Sequence, residues 1–167
     1  MTTGKCYCGA VTYQIEGDID YIVHCHCRNC RRASGAAFYS AGFLAASQFS
    51  ITSGEASIRE FNFPENPDGA RCFCDRCGGR LYIRLPMPGL INIAINTLDQ
   101  EPREDIGVHI NVESKAPWDE IPEGRDQHNA FPPDMLTHLR AFDAYRVSRY
   151  IRPLMPIQGL VREPLFL

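Results

Sequence analysis

The sequence has no apolar run of the ~18–20 residues that a membrane-spanning helix requires, so no membrane span is predicted. The opening stretch Met1-Thr2-Thr3-Gly4-Lys5-Cys6 has a basic residue but no apolar segment behind it, which argues against a secretory signal. Basic charge is also scarce: 17 Lys and Arg stand against 20 Asp and Glu, a net charge of -3. The broad positive field that a nucleic-acid phosphate backbone requires is therefore missing, and nucleic acid is not an expected partner. There is no internal repeat and no low-complexity tract. With 167 residues, the chain supplies one domain with a proper core rather than two. These features place the protein in the cytoplasm.

Cysteine, by contrast, is abundant, with eight residues. In a reducing compartment that count favours metal ligation over disulfides. The spacing points the same way. Cys6-Tyr7-Cys8 and Cys25-His26-Cys27 place two thiols one residue apart, too close to bridge without strain but able to converge on one ion.

Around the cysteines the chain reads as short strands: Val11 to Ile15 and Ile58 to Phe63, which alternate with period two, and Tyr21 to Cys25, Ala36 to Phe43, Phe49 to Ser53, Leu81 to Arg84, Leu90 to Ile95 and Val108 to Val112. Turn residues punctuate them, notably Gly17-Asp18, Pro64 to Gly69, and Pro86 to Gly89. This is the pattern of a mainly antiparallel β domain. A short helix or loop is expected over Cys27 to Ala37 and a helical turn over Ala46 to Phe49. From about Pro133 the period changes. Met135, Leu136, Leu139, Phe142 and Tyr145 recur at helical spacing behind Asp134, a candidate N-cap. We therefore divide the chain into a zinc-binding β domain at 1–130 and an extension at 131–167. The extension, with its proline-broken Pro153-Leu154-Met155-Pro156-Ile157, packs on its own domain or on a partner in a homodimer.

The cysteines fall into two sets. Cys6 and Cys8, followed by Gly9, match Cys74 and Cys77, followed by Gly78, as the two halves of one structural zinc centre. Four thiolates close a tetrahedron and exclude substrate. The second set, Cys25, Cys27 and Cys30, supplies three ligands from six residues, and a zinc with three protein ligands keeps one position for water or substrate. Three thiolates make such a centre soft and electron-rich, better suited to a thiol than to hydrolysis, so chemistry at a carbon–sulfur bond is expected. The fourth ligand could instead be His24, His26 or Cys72, which would make this site structural too. On a regular strand His24 and His26 face away from Cys25 and Cys27, as proton carriers or as hydrogen-bonded supports. Cys72 reads as a small buried hydrophobe. Arg28, Arg31 and Arg32 beside the set suit a substrate carboxylate or, equally, a solvated helix face.

Gly4-Lys5-Cys6-Tyr7-Cys8-Gly9-Ala10-Val11, His24 to Arg32, Cys74-Asp75-Arg76-Cys77-Gly78 and His109 to Trp118 together resemble the glutathione-dependent formaldehyde-activating enzyme family, which also includes centromere protein V. The resemblance spans roughly residues 4 to 120. It implies a β-tent fold, a structural zinc on Cys6, Cys8, Cys74 and Cys77, and a second zinc on Cys25, Cys27 and Cys30. The activity it implies is a carbon–sulfur lyase reaction run in reverse, joining glutathione and formaldehyde as S-(hydroxymethyl)glutathione. On that reading Arg31 and Arg32 orient the glutathione carboxylates. The sulfur of the thiol attacks the carbon of a small aldehyde, with His24, His26 or water moving the proton. The alternative is a non-catalytic module, with both zincs structural and a binding or scaffold role.

Overall fold

In the computed structural model, residues 1–87, 89–102 and 107–139 are described. The short alternating segments become strands and sort into two sheets. β1 (Thr2–Lys5), β2 (Thr12–Ile15) and β5 (Phe49–Ser53) form an antiparallel three-stranded sheet in the order β1-β2-β5. The larger sheet contains β3 (Tyr21–Cys25), β4 (Tyr39–Ala45), β6 (Ile58–Phe63), β7 (Asn66–Cys74), β8 (Arg80–Arg84), β9 (Leu90–Ala94), β10 (Val108–Ile110) and β11 (Gln127–His128). Its order is β11-β10-β3-β4-β9-β8-β7-β6. All its pairings are antiparallel except those of β10, which runs parallel to β3 and to β11. The protein is thus mainly β, built from short and largely antiparallel sheets, as the alternation predicts.

β4 and β9 sit mid-sheet, and β9 is buried along its whole length. Such strands face two cores, because successive side chains point to opposite sides. Ala41, Phe43, Leu90 and Ala94 join one apolar cluster with Val23, Cys25, Cys30 and Tyr39. Leu44, Ile91 and Ile93 join the other with Cys6, Val11, Tyr13, Cys74 and Leu81. Each cysteine set is rooted in a different cluster.

Several elements depart from the sequence expectation: β4 begins at Tyr39 rather than Ala36 and runs on to Ala45, and β11 was not expected. The turn expected over residues 64–69 is confined to Pro64 and Glu65, and β7 already begins at Asn66. A register shift beside Phe63 accommodates Pro67, whose carbonyl accepts a bond from Asn62 Nδ2 at 2.9 Å. β10 stops at Ile110 because Asn111 adopts a left-handed conformation (φ 56°) and turns the chain into the 3-10 turn Val112–Ser114. β1 was not expected at all: Thr-Thr-Gly-Lys carries no apolar alternation, and it is a strand because β2 pairs with it.

Two helices are described, α1 (Arg28–Ser34) and α2 (Met135–His138). Asp134 stands at the N-cap of α2 but makes no side-chain capping bond; its carboxylate lies 3.5 Å from His138 Nε2. Met135 and Leu139 are buried against Val23, Tyr39 and Phe43. The Leu136 side chain, Phe142, Tyr145 and the 153–157 segment lie outside the described residues. No described helix is long and apolar enough to cross a membrane.

Candidate metal centres

The first cysteine set is assembled from two turns. Cys6–Gly9 leaves β1, and Cys74–Gly78 leaves β7. Gly9 (φ 73°) and Gly78 (φ 70°) take left-handed conformations that reverse the chain right after a cysteine, where a side chain would be strained. Their N–H groups bond back to the carbonyls of Cys6 and Cys74 at 3.0 and 2.8 Å. The four sulfurs all lie within 4.8 Å of one another. Cys6 Sγ is 3.6 Å from Cys8 Sγ, and Cys8 Sγ is 3.9 Å from Cys74 Sγ. A tetrahedron of ~2.3 Å zinc–sulfur bonds has edges of about 3.8 Å, so these residues fit a zinc ion. Val11 N–H donates to Cys6 Sγ at 3.3 Å. Backbone N–H groups of Cys8 and Gly79 bring the Cys77 thiol down to about 7, towards the thiolate a metal binds.

The second set sits where β3 ends and α1 begins. Cys25 closes β3, Cys27 is the N-cap of α1 and Cys30 lies in its first turn. Their sulfurs are again within 4.8 Å of one another. Cys30 N–H donates to Cys27 Sγ at 3.3 Å, so one thiol serves both as helix cap and as candidate ligand. Cys27 is pulled well below its ordinary value, by hydrogen bonds from the Cys25 and Cys30 thiols and by the Cys30 and Asn29 N–H groups. Cys25 and Cys30 are buried and Cys27 is half-exposed. Asn111 Nδ2 donates to Cys25 Sγ at 3.5 Å from its left-handed turn.

None of the three candidate fourth ligands joins this set among the described residues. β3 and β10 pair His24 with His109 and Cys25 with Ile110, so the histidines and Cys25 occupy opposite faces. His26, fully buried just past β3, is hydrogen-bonded through Nε2 and has Nδ1 beside Asp119. Nε2 lies 2.8 Å from His109 Nδ1, and Nδ1 lies 3.3 Å from Asp119 Oδ2. Burial, then His109, lowers its pKa to about 4. His24 Nδ1 is 2.9 Å from Ser40 Oγ, and its ring stands 4.8 Å from that of His109. Cys72 is buried on β7 with Sγ 3.8 Å from Glu60 Oε1.

The arginines separate too. Arg31 donates Nε to the His26 carbonyl (3.2 Å) and Nη2 to the Ser114 carbonyl (2.8 Å), bracing α1 against the 3-10 turn. Arg32 is exposed and lines a cleft of about 580 Å³ whose wall also carries Arg71 and Arg80. Arg71 and Arg80 were missed in the sequence. Each is a lone arginine on a strand, and only pairing decides which face it occupies.

The sequence pattern described as "Glutathione-dependent formaldehyde-activating enzyme" matches residues 1–114. The chain belongs to this family. A relative from Halomonas elongata is 30% identical over 141 residues, covering 78% of this chain and 87% of its own. It is described as a "Putative glutathione-dependent formaldehyde-activating enzyme". A solved structure of a Rhodobacter sphaeroides protein superposes with a TM-score of 0.54 at 21% identity, covering 75% of this chain and 98% of that one, and bears on the fold alone. Both cysteine sets of the chain are placed to hold metal ions.

Proposed function

We propose that the protein is a two-zinc enzyme of carbon–sulfur lyase type that joins a thiol, glutathione, to a small aldehyde such as formaldehyde. The observation that carries this reading is the three-sulfur set. It brings Cys25, Cys27 and Cys30 together with no fourth His, Cys, Asp or Glu beside them among the described residues, and it leaves Cys27 half-exposed. The family description and the Halomonas relative's name supply the substrate pair. A zinc ion held by the three cysteines would supply a Lewis acid that favours the thiolate of an incoming thiol.

The chain's own residues position this chemistry. Cys27 caps α1 and holds its sulfur at the solvent side, while Asn111 and the backbone N–H groups offset the charge of crowded thiolates. In the reaction the thiol sulfur forms a bond to the aldehyde carbon and the carbonyl π bond breaks. The oxygen then takes a proton, so the thiol's proton ends on the new hydroxyl. With His24 and His26 on the face away from Cys25, solvent at the Cys27 side is the better proton source. The two histidines, with His109 and Asp119, support the loop. The carboxylate-orienting part expected of Arg31 passes to its neighbours, because Arg31 is committed to two carbonyls. The reading is tested by following S-(hydroxymethyl)glutathione formation by exchange NMR. Wild type should accelerate it and Cys27→Ser should not; equal rates with both, or with no protein, would overturn the proposal.

A further inference from the structure

The cleft lined by Arg32, Arg71 and Arg80 gathers three cations beside the three-cysteine set, with Arg71 close enough to the Cys30 and Cys27 thiols to feel their charge. It lies between the two cysteine sets: its wall includes Asn29, inside the three-cysteine segment, and Gly78, next to Cys77. Its size is within the ~300–1,000 Å³ range of small-molecule sites. Arg71 stacks over the Phe63 ring at 4.6 Å and Arg80 over the Tyr39 ring at 4.4 Å. Stacking fixes each guanidinium plane while leaving its N–H edge for a ligand. Arg71 Nε and Arg80 Nη1 are buried and have no hydrogen-bond partner. Among the described residues neither guanidinium is paired with a carboxylate. The cleft's single acid is the exposed Glu65. Buried donors without acceptors are costly, so an arrangement of this kind points to an anion that supplies them.

We propose that this cleft reads the charged ends of the thiol substrate. Arg71 and Arg80 receive one carboxylate, Arg32 at the exposed rim a second, and Glu65 an ammonium group. The inference rests on the thiol reading above and sharpens it. Three cations and one anion complement a zwitterionic dicarboxylate thiol, so selectivity lies against neutral thiols of equal reactivity.

The test uses S-methylglutathione, which carries the same charged groups but no free thiol, titrated calorimetrically into the zinc-loaded protein. Wild type should bind it. Arg71→Gln and Arg80→Gln should each weaken binding about 10-fold or more, as expected for a lost charge-assisted hydrogen bond, and Arg32→Ala no more than about 5-fold. The diethyl ester of the same ligand should bind as poorly as Arg80→Gln binds the acid. Zinc content is measured on every variant, and if Arg71→Gln loses metal, Arg80→Gln and the ester still decide. Failure of wild type to bind, or equal binding of acid and ester, overturns the proposal. So does undiminished binding by Arg80→Gln at full zinc content. If arginine-dependent binding persists while no thiol–aldehyde adduct forms, the lyase reading fails and the cleft assignment stands.

Discussion

The two cysteine sets contain the same ligand chemistry and differ in what surrounds it. Cys6, Cys8, Cys74 and Cys77 come from two glycine-terminated turns separated by more than sixty residues, and together they satisfy a tetrahedron. Cys25, Cys27 and Cys30 come from one strand-to-helix junction, and the potential fourth ligands near them are held elsewhere: His26 by His109 and Asp119, Cys72 beside Glu60. The first set ties distant parts of the chain together, so metal bound there would add to folding energy. The second is local, so filling or emptying it changes little of the global connectivity. Closure, more than sulfur count, is what distinguishes the two sets.

The comparison is tested most severely at the closed set. Cys74→Ser should leave little folded protein, because structural zinc contributes roughly 10 kcal/mol or more in small zinc domains. Far-UV circular dichroism and zinc analysis would show loss of β structure together with metal; a folded variant with one zinc would break the contrast. Cys27→Ser should instead stay folded, with bound zinc falling from two per chain to one and adduct formation falling at least about 100-fold. A competing chromogenic chelator should likewise strip one zinc quickly and the other only on the timescale of unfolding, read as two phases. A single phase would mean that the sets are equivalent.

Smaller effects probe the supports of the open set. Asn111→Ala removes the bond to Cys25 and places a side chain less suited to φ 56°, a loss of about 2 kcal/mol in denaturant unfolding. Asn111→Gly relieves the backbone strain but not the lost bond, so it should regain only part of that stability and none of the zinc affinity at the open set. Arg31→Ala should lower stability by about 1–2 kcal/mol through its two carbonyl bonds while leaving KM for glutathione unchanged. A raised KM at unchanged stability would instead restore Arg31 to the substrate.

Much of this was legible in the chain because zinc-site spacing is a local property. Cys6-x-Cys8 and Cys74-x-x-Cys77 each carry their glycine, and Cys25-x-Cys27-x-x-Cys30 spans six residues, so sequence distance nearly dictates convergence within each motif, while the meeting of Cys6 and Cys8 with Cys74 and Cys77 depends on the fold. Strand positions were legible for a similar reason, since period-two alternation from Val11 to Ile15 is written residue by residue. β1 was not, because Thr2–Lys5 is polar and owes its conformation to β2. The parallel pairing of β10 with β3 was also hidden. It joins segments more than eighty residues apart, and nothing in Val108–Ile110 specifies the direction of its partner.

The sequence by itself thus determined the cysteine sets, the mainly β class and the family, because each is encoded in residue type and short spacing. Tertiary structure decided the rest. It set His26 against His109, occupied Arg31 with two carbonyls, and brought Arg71 and Arg80 from separate strands into one cleft with Arg32. Those outcomes depend on strand register and face, where a one-residue shift reverses every side chain, and register is settled only when the sheet closes on its cores.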